Sequence, residues 1–463
     1  MKRSLRINLV LTGALLSSRI LLAGEPAGAG AAGEPASPVG QILARISAER
    51  IERDVRKLVS FHTRHTLSAT DDPKQGIGAA RTWLKAEFDR TSAATGGRLQ
   101  VEFDRFLQRP VPPRILREVE VVNVVATLPG QQAESVDRVY VVSAHYDSRA
   151  GSPNDIETPA PGANDDGSGT AAVLELARVL SDQKLDATVV FLLVAAEEQG
   201  LQGSRHWADM ARAQKRSIAG MITNDIIGSP VGDDGRVRRH QLRLFAEGVP
   251  PLKTLPDEVL TQLRTGGEND FPPRQLARAI RAAASRHVPH MEVVMIYRRD
   301  RFLRGGDHSS FLDNGFPAVR LTEPAENFAH QHQDPRVEDG VTYGDWPDHV
   351  DFAYVADVTR VNAAALIALA NAPASPARVE VETSRLENDT RLRWLPNREP
   401  DLAGYRIVWR STTAPDWEQH LDVGLVTEYT VPGVSKDNMV FGVQAVDRDG
   451  HVSPAVYPQP LRR

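Results

Sequence analysis

The chain has 463 residues, 41% of them hydrophobic and 25% charged, which is enough to bury a large core and too many for one small domain. Its formal net charge of -5 argues against a nucleic-acid binder, which usually carries a basic balance or a basic stripe. The absence of cysteine excludes disulfides, thiolate metal ligands and a cysteine nucleophile.

In chain order, residues 1–23 read as an export signal. Lys2, Arg3 and Arg6 precede an apolar run from Leu9 to Leu16, and small residues near Ala23 and Gly24 suit a signal peptidase. That run is well short of the roughly 20 residues a membrane-spanning helix needs, so the product is expected to be secreted or periplasmic. Residues 24–38 are rich in Ala, Gly and Pro and read as a flexible lead-in. From 39 to 372, short β-branched runs alternate with longer amphipathic ones. Strands are predicted over 120–126, 139–144, 188–195, 220–224, 291–297 and 318–321, and helices over 50–61, 77–90, 169–182, 202–213, 273–286 and 354–370. That alternation predicts an α/β domain with a largely parallel sheet and helices on both faces.

Pro373 and Pro376 mark a change of composition, after which short strands are predicted over 391–395, 404–410, 428–431 and 439–446. Residues 373–463 are therefore expected to form a small all-β sandwich. With Trp394, "GYRIVWR" and "FGVQAVDRDGHVS", the segment resembles a fibronectin type III domain. It shows no titratable cluster suited to catalysis, so it reads as a spacer or an adhesion module that contacts a surface or polymer.

The chemistry gathers at predicted strand ends, which is where functional groups collect in open α/β sheets. His145 and Asp147 follow the strand over 139–144, Glu197 and Glu198 follow 188–195, and Asp225 follows 220–224. The loop that precedes the helix over 169–182 adds Asp165. So many carboxylates at one edge would raise one another's pKa and destabilise the fold unless a cation were bound among them. Imidazoles with carboxylates and no sulfur suit zinc, whereas an all-oxygen set would favour magnesium or calcium. Asp166 and Ser168 have the simpler reading of a turn and helix cap. His62 and His65 have metal-like spacing but no nearby acids, and read as structural, while Arg238 and Arg239 read as a solvated basic run.

Six motifs carry a family resemblance: "HYD", "PGANDDGSG", "EEQGLQGS", "NDIIGS", "GGDHSSF" and "HQHQD". In this order they resemble the co-catalytic zinc exopeptidases, a group that includes secreted bacterial leucine aminopeptidases, glutamate carboxypeptidase and glutaminyl cyclase. The resemblance implies two zinc ions. One would be held by His145 and Asp225, the other by Glu198 and His330, with Asp165 bridging both even though Asn164 stands where the family often has Asp. His330 stands four residues before Asp334, as the motif requires, and His332 is the alternative ligand. Glu197 would be the general base, and Asp147 would orient His145. Asp307 and His308 would shape the substrate side of the cleft, and the long polar segment 228–273 would form a lid or specificity wall. The activity implied is hydrolysis of peptides, most simply by an aminopeptidase. A carboxypeptidase or a glutaminyl cyclase shares the scaffold, and an inactive receptor or adhesion protein is the reading outside enzymology.

Overall fold

The computed structural model describes residues 37–251 and 254–461. The expected export signal and most of the lead-in lie outside the described residues.

Eight strands form the main sheet: β1 Gln100–Gln108, β2 Val119–Leu128, β3 Arg138–His145, β4 Thr188–Val194, β5 Ser217–Asn224, β6 Gln241–Ala246, β7 Glu292–Ile296 and β8 Ala318–Thr322. Their order across the sheet is β1-β2-β4-β3-β5-β8-β6-β7. The central strands β4, β3, β5 and β8 run parallel, while β1 and β2, β2 and β4, and β6 and β8 pair antiparallel. The sheet is thus mostly parallel and mixed.

Burial on both faces explains the continuous apolar runs in the central strands. In β4, Val189, Phe191 and Leu193 enter one core, while Val190, Leu192 and Val194 enter the other, because successive side chains point to opposite faces. Helices α2 Ala48–Val59, α3 Gly76–Ala94, α4 Gly167–Leu180, α7 Pro272–His287 and α9 Phe352–Asn371 contribute to the larger core, after the short α1 Pro38–Leu43. The second face is covered by α5 Gln202–Ala213 and α8 His308–Asp313, through Trp207, Ala208, Phe311 and Leu312. Fully burying a large aliphatic side chain contributes about 1.5–3 kcal/mol, so the two apolar layers hold the strand ends firmly in place. Among the described residues, α9 is long and apolar enough to cross a membrane, but most of it is buried in the larger core.

Two strands of the main sheet lie outside the ranges predicted from the sequence pattern. β1 is an edge strand with an alternating, half-exposed pattern and several charged residues. β6 lies within the polar segment 228–273, between β8 and β7. That segment is therefore not simply a lid. Its middle is an integral strand, and its later part, including α6 Asp257–Arg264, is tied to the C-terminal region by the Tyr457 hydroxyl donating to the Thr265 carbonyl at 2.7 Å.

The C-terminal strands form two sheets. One holds β11 Ala377–Val381, β12 Thr390–Leu395, β15 Glu428–Val431 and β17 Gln459–Pro460, and the other holds β13 Leu402–Ser411, β14 Gln419–Gly424 and β16 Met439–Asp447. A short hairpin, β9 Arg336–Glu338 with β10 Val341–Tyr343, precedes α9. Val379, Leu392 and Trp394 of the first C-terminal sheet share one core with Ile407, Phe441 and Val443 of the second, giving a sandwich.

Residues from Pro38 onward, the sandwich included, form one compact unit. Buried Asp270 accepts from Arg278 Nη1 at 3.1 Å and from Arg410 Nη2, on β13 of the sandwich, at 2.7 Å. Both guanidiniums also lie over the Trp417 ring, at 5.6 and 5.5 Å from its centroid. Removing one partner of a buried ion pair leaves unpaired charge away from water. Asp270→Ala is therefore expected to destabilise the chain by about 3–5 kcal/mol, read as a lower urea midpoint with metal content unchanged.

Candidate metal centre

The parallel register of β4, β3 and β5 sets their carboxyl ends side by side, with His145 opposite Val194 and Ser143 opposite Thr223. His145 ends β3, Glu197 and Glu198 turn back just beyond β4, and Asp225 follows β5. Asp165 reaches the same edge from the loop before α4, and His332 from the loop after β8. The Asp165–Asp166 peptide is cis. As the sequence implies, Asp166 caps α4, accepting from Gly169 N at 3.1 Å, and it also accepts from His145 N at 3.0 Å.

Two groups of donor atoms result. One comprises His145, Asp165 and Asp225, the other Asp165, Glu198 and His332, and within each group the ligating atoms lie within 4.8 Å of one another. Asp165 belongs to both: its Oδ1 lies 3.1 Å from His145 Nε2 and its Oδ2 lies 3.0 Å from His332 Nε2. His332 Nε2 is also 2.9 Å from Glu198 Oε1. Glu197 belongs to neither group and sits on the cleft wall beside them.

His330 does not join the centre, contrary to the expectation from motif spacing. Its ring stacks on His349, with centroids 3.6 Å apart, in a small cavity beside Asn164, Glu323 and Asp345. Burial and the neighbouring His349 push its pKa down to about 4. The segment 327–334 is turn rather than regular helix or strand, so a count of residues to Asp334 does not determine which imidazole faces inward.

Asp147, expected to orient His145, also holds the turn beyond β4. Its carboxylate accepts from Glu197 N at 3.3 Å and from Glu198 N at 3.2 Å, which joins the end of β3 to the turn beyond β4. His145 Nδ1 lies 3.2 Å from the Asp147 carbonyl and 3.6 Å from its carboxylate. On the far side, Arg320 donates to Asp225 at 2.9 Å. A Cβ at Gly306 would come within 2.9 Å of Arg320 Nη1 and 3.2 Å of Asp225 Oδ2, so this glycine leaves room for that pair. Asp345 accepts from Asp165 N at 2.7 Å and from Asn164 N at 2.9 Å, holding the bridging loop from beneath.

Crowding divides the acids by proton affinity. Burial, reinforced by Asp225, Asp307 and Glu198, raises Glu197 well above the usual carboxylate range, with His145 opposing. Asp225 is raised by burial in spite of Arg320. Asp165 is held well below that range because His145 and His332 outweigh the effect of its burial. Such a cluster suits a divalent cation, which replaces carboxylate repulsion with attraction. Two imidazoles, carboxylate oxygens and no sulfur fit zinc.

Asp307 and His308 do not line the cleft as expected. They are 1% and 0% exposed, below the cleft wall, with His308 Nε2 bonded to the Arg299 carbonyl at 2.9 Å. The start of α8 carries them into the protein interior. Burial pushes Asp307 up to about 7 and His308 down to about 4. It is Arg301, Leu303, Arg304 and Gly305 of the preceding loop that face the cleft, whose volume is about 610 Å³. His65 is structural, with Nδ1 accepting from Leu67 N at 3.0 Å and Nε2 bonded to the Pro153 carbonyl at 2.9 Å. Arg238 and Arg239 make ion pairs with Asp234 and Asp351, both at 2.5 Å.

Arg320 and Arg149 also reach the centre, through Asp225 and Glu198. Arg149 donates to Glu198 Oε2 at 2.8 Å and lies 2.6 Å from His332 Nδ1. Arg320 had a readable signal, since it interrupts the otherwise apolar strand "AVRLT" and a buried arginine needs a carboxylate partner.

The chain is similar to several known proteins. A model of peptidase family M28 matches residues 123–241. A probable zinc metalloprotease of Leptosphaeria maculans is 47% identical over 426 residues, covering 92% of this chain and 98% of that protein. A probable zinc metalloprotease of Pyricularia oryzae is 45% identical over 444 residues, covering 92% and 88%. Among solved structures, the LapA aminopeptidase of Legionella pneumophila shares the fold over 72% of this chain and 74% of that one, with a TM-score of 0.50 at 20% identity.

Proposed function

The chain belongs to peptidase family M28 and is a zinc metallopeptidase, and from that footing we propose that it is a secreted aminopeptidase acting on peptides with two zinc ions. The observation that carries the two-ion reading is Asp165, whose two oxygens face different imidazoles and which belongs to both donor groups. His145 and Asp225 would hold one ion and Glu198 and His332 the other.

When bound, the zinc pair supplies Lewis acidity, lowering the pKa of water from 15.7 to about 7 and polarising the scissile carbonyl. Glu197 does the proton work. It lies on the cleft wall outside both donor groups, where its carboxylate can take a proton from water and return it to the departing amine nitrogen. Asp147 fixes the Glu197 and Glu198 backbone amides, so that one carboxylate of the pair serves the cation and its neighbour faces the cleft. Arg320 and Asp345 hold Asp225 and the Asp165 loop in place before substrate arrives. Ligands and base are all present, which weighs against an inactive receptor.

The reading is tested with peptides whose ends are free or blocked, incubated with the zinc-loaded chain. Cleavage is expected only where the amino terminus is free, abolished by a chelator and restored by zinc, with two zinc ions bound per chain. Cleavage that requires a free carboxyl terminus instead would make the enzyme a carboxypeptidase, and no cleavage of any peptide would remove the proposal.

A further inference from the structure

The walls of the cleft are charged in an uneven way. Asp165, Glu197 and Asp225 line it, and each already belongs to the metal centre or acts as its base. The other charged side chains among the described lining residues are the four arginines Arg114, Arg149, Arg301 and Arg304. Beyond the centre itself, the charged side chains among the described lining residues are all cationic, so the cleft away from the metal site favours negative charge on the substrate.

The four arginines are not equally available. Arg114 donates to the Glu198 carbonyl at 2.5 Å, and Arg149 to the Glu198 carboxylate at 2.8 Å. Arg301 is held on three sides, by Asp300 at 3.0 Å, Glu326 at 3.2 Å and the Gly305 carbonyl at 3.2 Å. Arg304 reaches only Glu326, at 2.7 Å through Nη1, and its side chain is 34% exposed.

Glu326 cannot neutralise Arg304, because it also pairs with Arg301 and with Arg243 at 3.4 Å. Asp300 is likewise divided between Arg301 and Arg320. Arg320's other partner, Asp225, is a ligand of the centre. Four guanidiniums therefore share three carboxylates, one of them committed to the metal centre, and the surplus positive charge falls on the most exposed of them, at the cleft wall. Beside it, Leu303 is 94% exposed, and Phe328 forms a second exposed apolar element of the lining. A cleft with low-dielectric walls and one sign of charge concentrates its field on the ligand.

We infer that the cleft selects peptides carrying a carboxylate beyond the scissile bond, and that Arg304 is the residue that receives it. This rests on the reading of the site as an aminopeptidase. The carboxylate has two possible sources, the free α-carboxyl of a short peptide or an acidic side chain, and the chemistry of recognition is the same for both. The competing account is that Arg304 only bridges Glu326 on the surface, in which case hydrolysis is indifferent to substrate charge.

The test uses the zinc-loaded full chain with Leu-Ala, Leu-Ala-amide, Leu-Glu-amide and Leu-Gln-amide. The first pair isolates the α-carboxylate and the second the side chain. A carboxylate from at least one source is expected to raise kcat/KM about tenfold over its amide counterpart, mainly through KM and less so at high salt. Arg304→Ala should bring that ratio close to one, Arg304→Lys should keep part of it, and Arg304→Glu should reverse it in favour of Leu-Lys-amide. Zinc content equal to that of the parent shows that each variant has kept its centre. Equal rates across both pairs, or a preference that survives in Arg304→Ala and Arg304→Glu, would overturn the inference. Failure to cleave all of these substrates would instead overturn the aminopeptidase reading on which it rests.

Discussion

Glu197→Gln is expected to bind as much zinc as the parent chain and to lose about a hundredfold to ten-thousandfold in kcat, the usual range for a positioned acid or base. The amide has nearly the shape of the acid but cannot accept a proton from water or return one to an amine. Glu197 lies outside both donor groups, so its replacement leaves the ligands in place. Its backbone amide still donates to Asp147, so the turn beyond β4 is not released. Elemental analysis and steady-state kinetics on the same preparation separate metal loss from loss of proton transfer. A variant with kcat within tenfold of the parent would show that another group moves the proton.

The second large effect distinguishes two histidines two residues apart. His332→Ala removes the imidazole that lies 2.9 Å from Glu198 and 3.0 Å from Asp165, so one zinc should be lost together with at least roughly a hundredfold of activity, more than partners beyond the ligands usually contribute. His330→Ala removes a ring stacked on His349 and should leave zinc stoichiometry unchanged. The opposite pattern would restore His330 as the ligand. Measuring bound zinc makes the comparison independent of any substrate.

The contrast between these two residues shows where sequence is a good guide and where it is not. His145, Glu197, Glu198 and Asp225 are legible because each directly follows an apolar run, and the ends of parallel strands meet at one edge. Asp165 is legible because it precedes a helix whose cap, Asp166, can be recognised. The choice between His330 and His332 is not, because 327–334 has no regular period, and tertiary contacts with Glu198, Asp165 and Arg149 decide which ring turns inward. Asp307 and His308 fail for a similar reason, since a motif identifies the segment but not the side of it that faces the cleft.

The same distinction holds for the fold. The central strands, buried on both faces, announce themselves by continuous hydrophobicity. β1 carries charged residues because it lies at an edge, and β6 is short and set in polar surroundings, so neither presents a strong pattern. The β-rich region starts at Ala377, within a single compact unit that begins at Pro38. Composition alone does not reveal how closely that region is joined to α7.

The junction bears on how this enzyme can be taken apart. Asp270 supplies the carboxylate for Arg410, and α7 is covered by the loop that carries Trp417. A catalytic fragment ending near residue 372 would present a helix flank made to be roofed over, and the severed β-layers would carry an arginine without its counterion. Because both parts belong to one compact unit, calorimetry of the whole is expected to register their melting as a single event, and trimming at the proline-marked seam is expected to lower solubility.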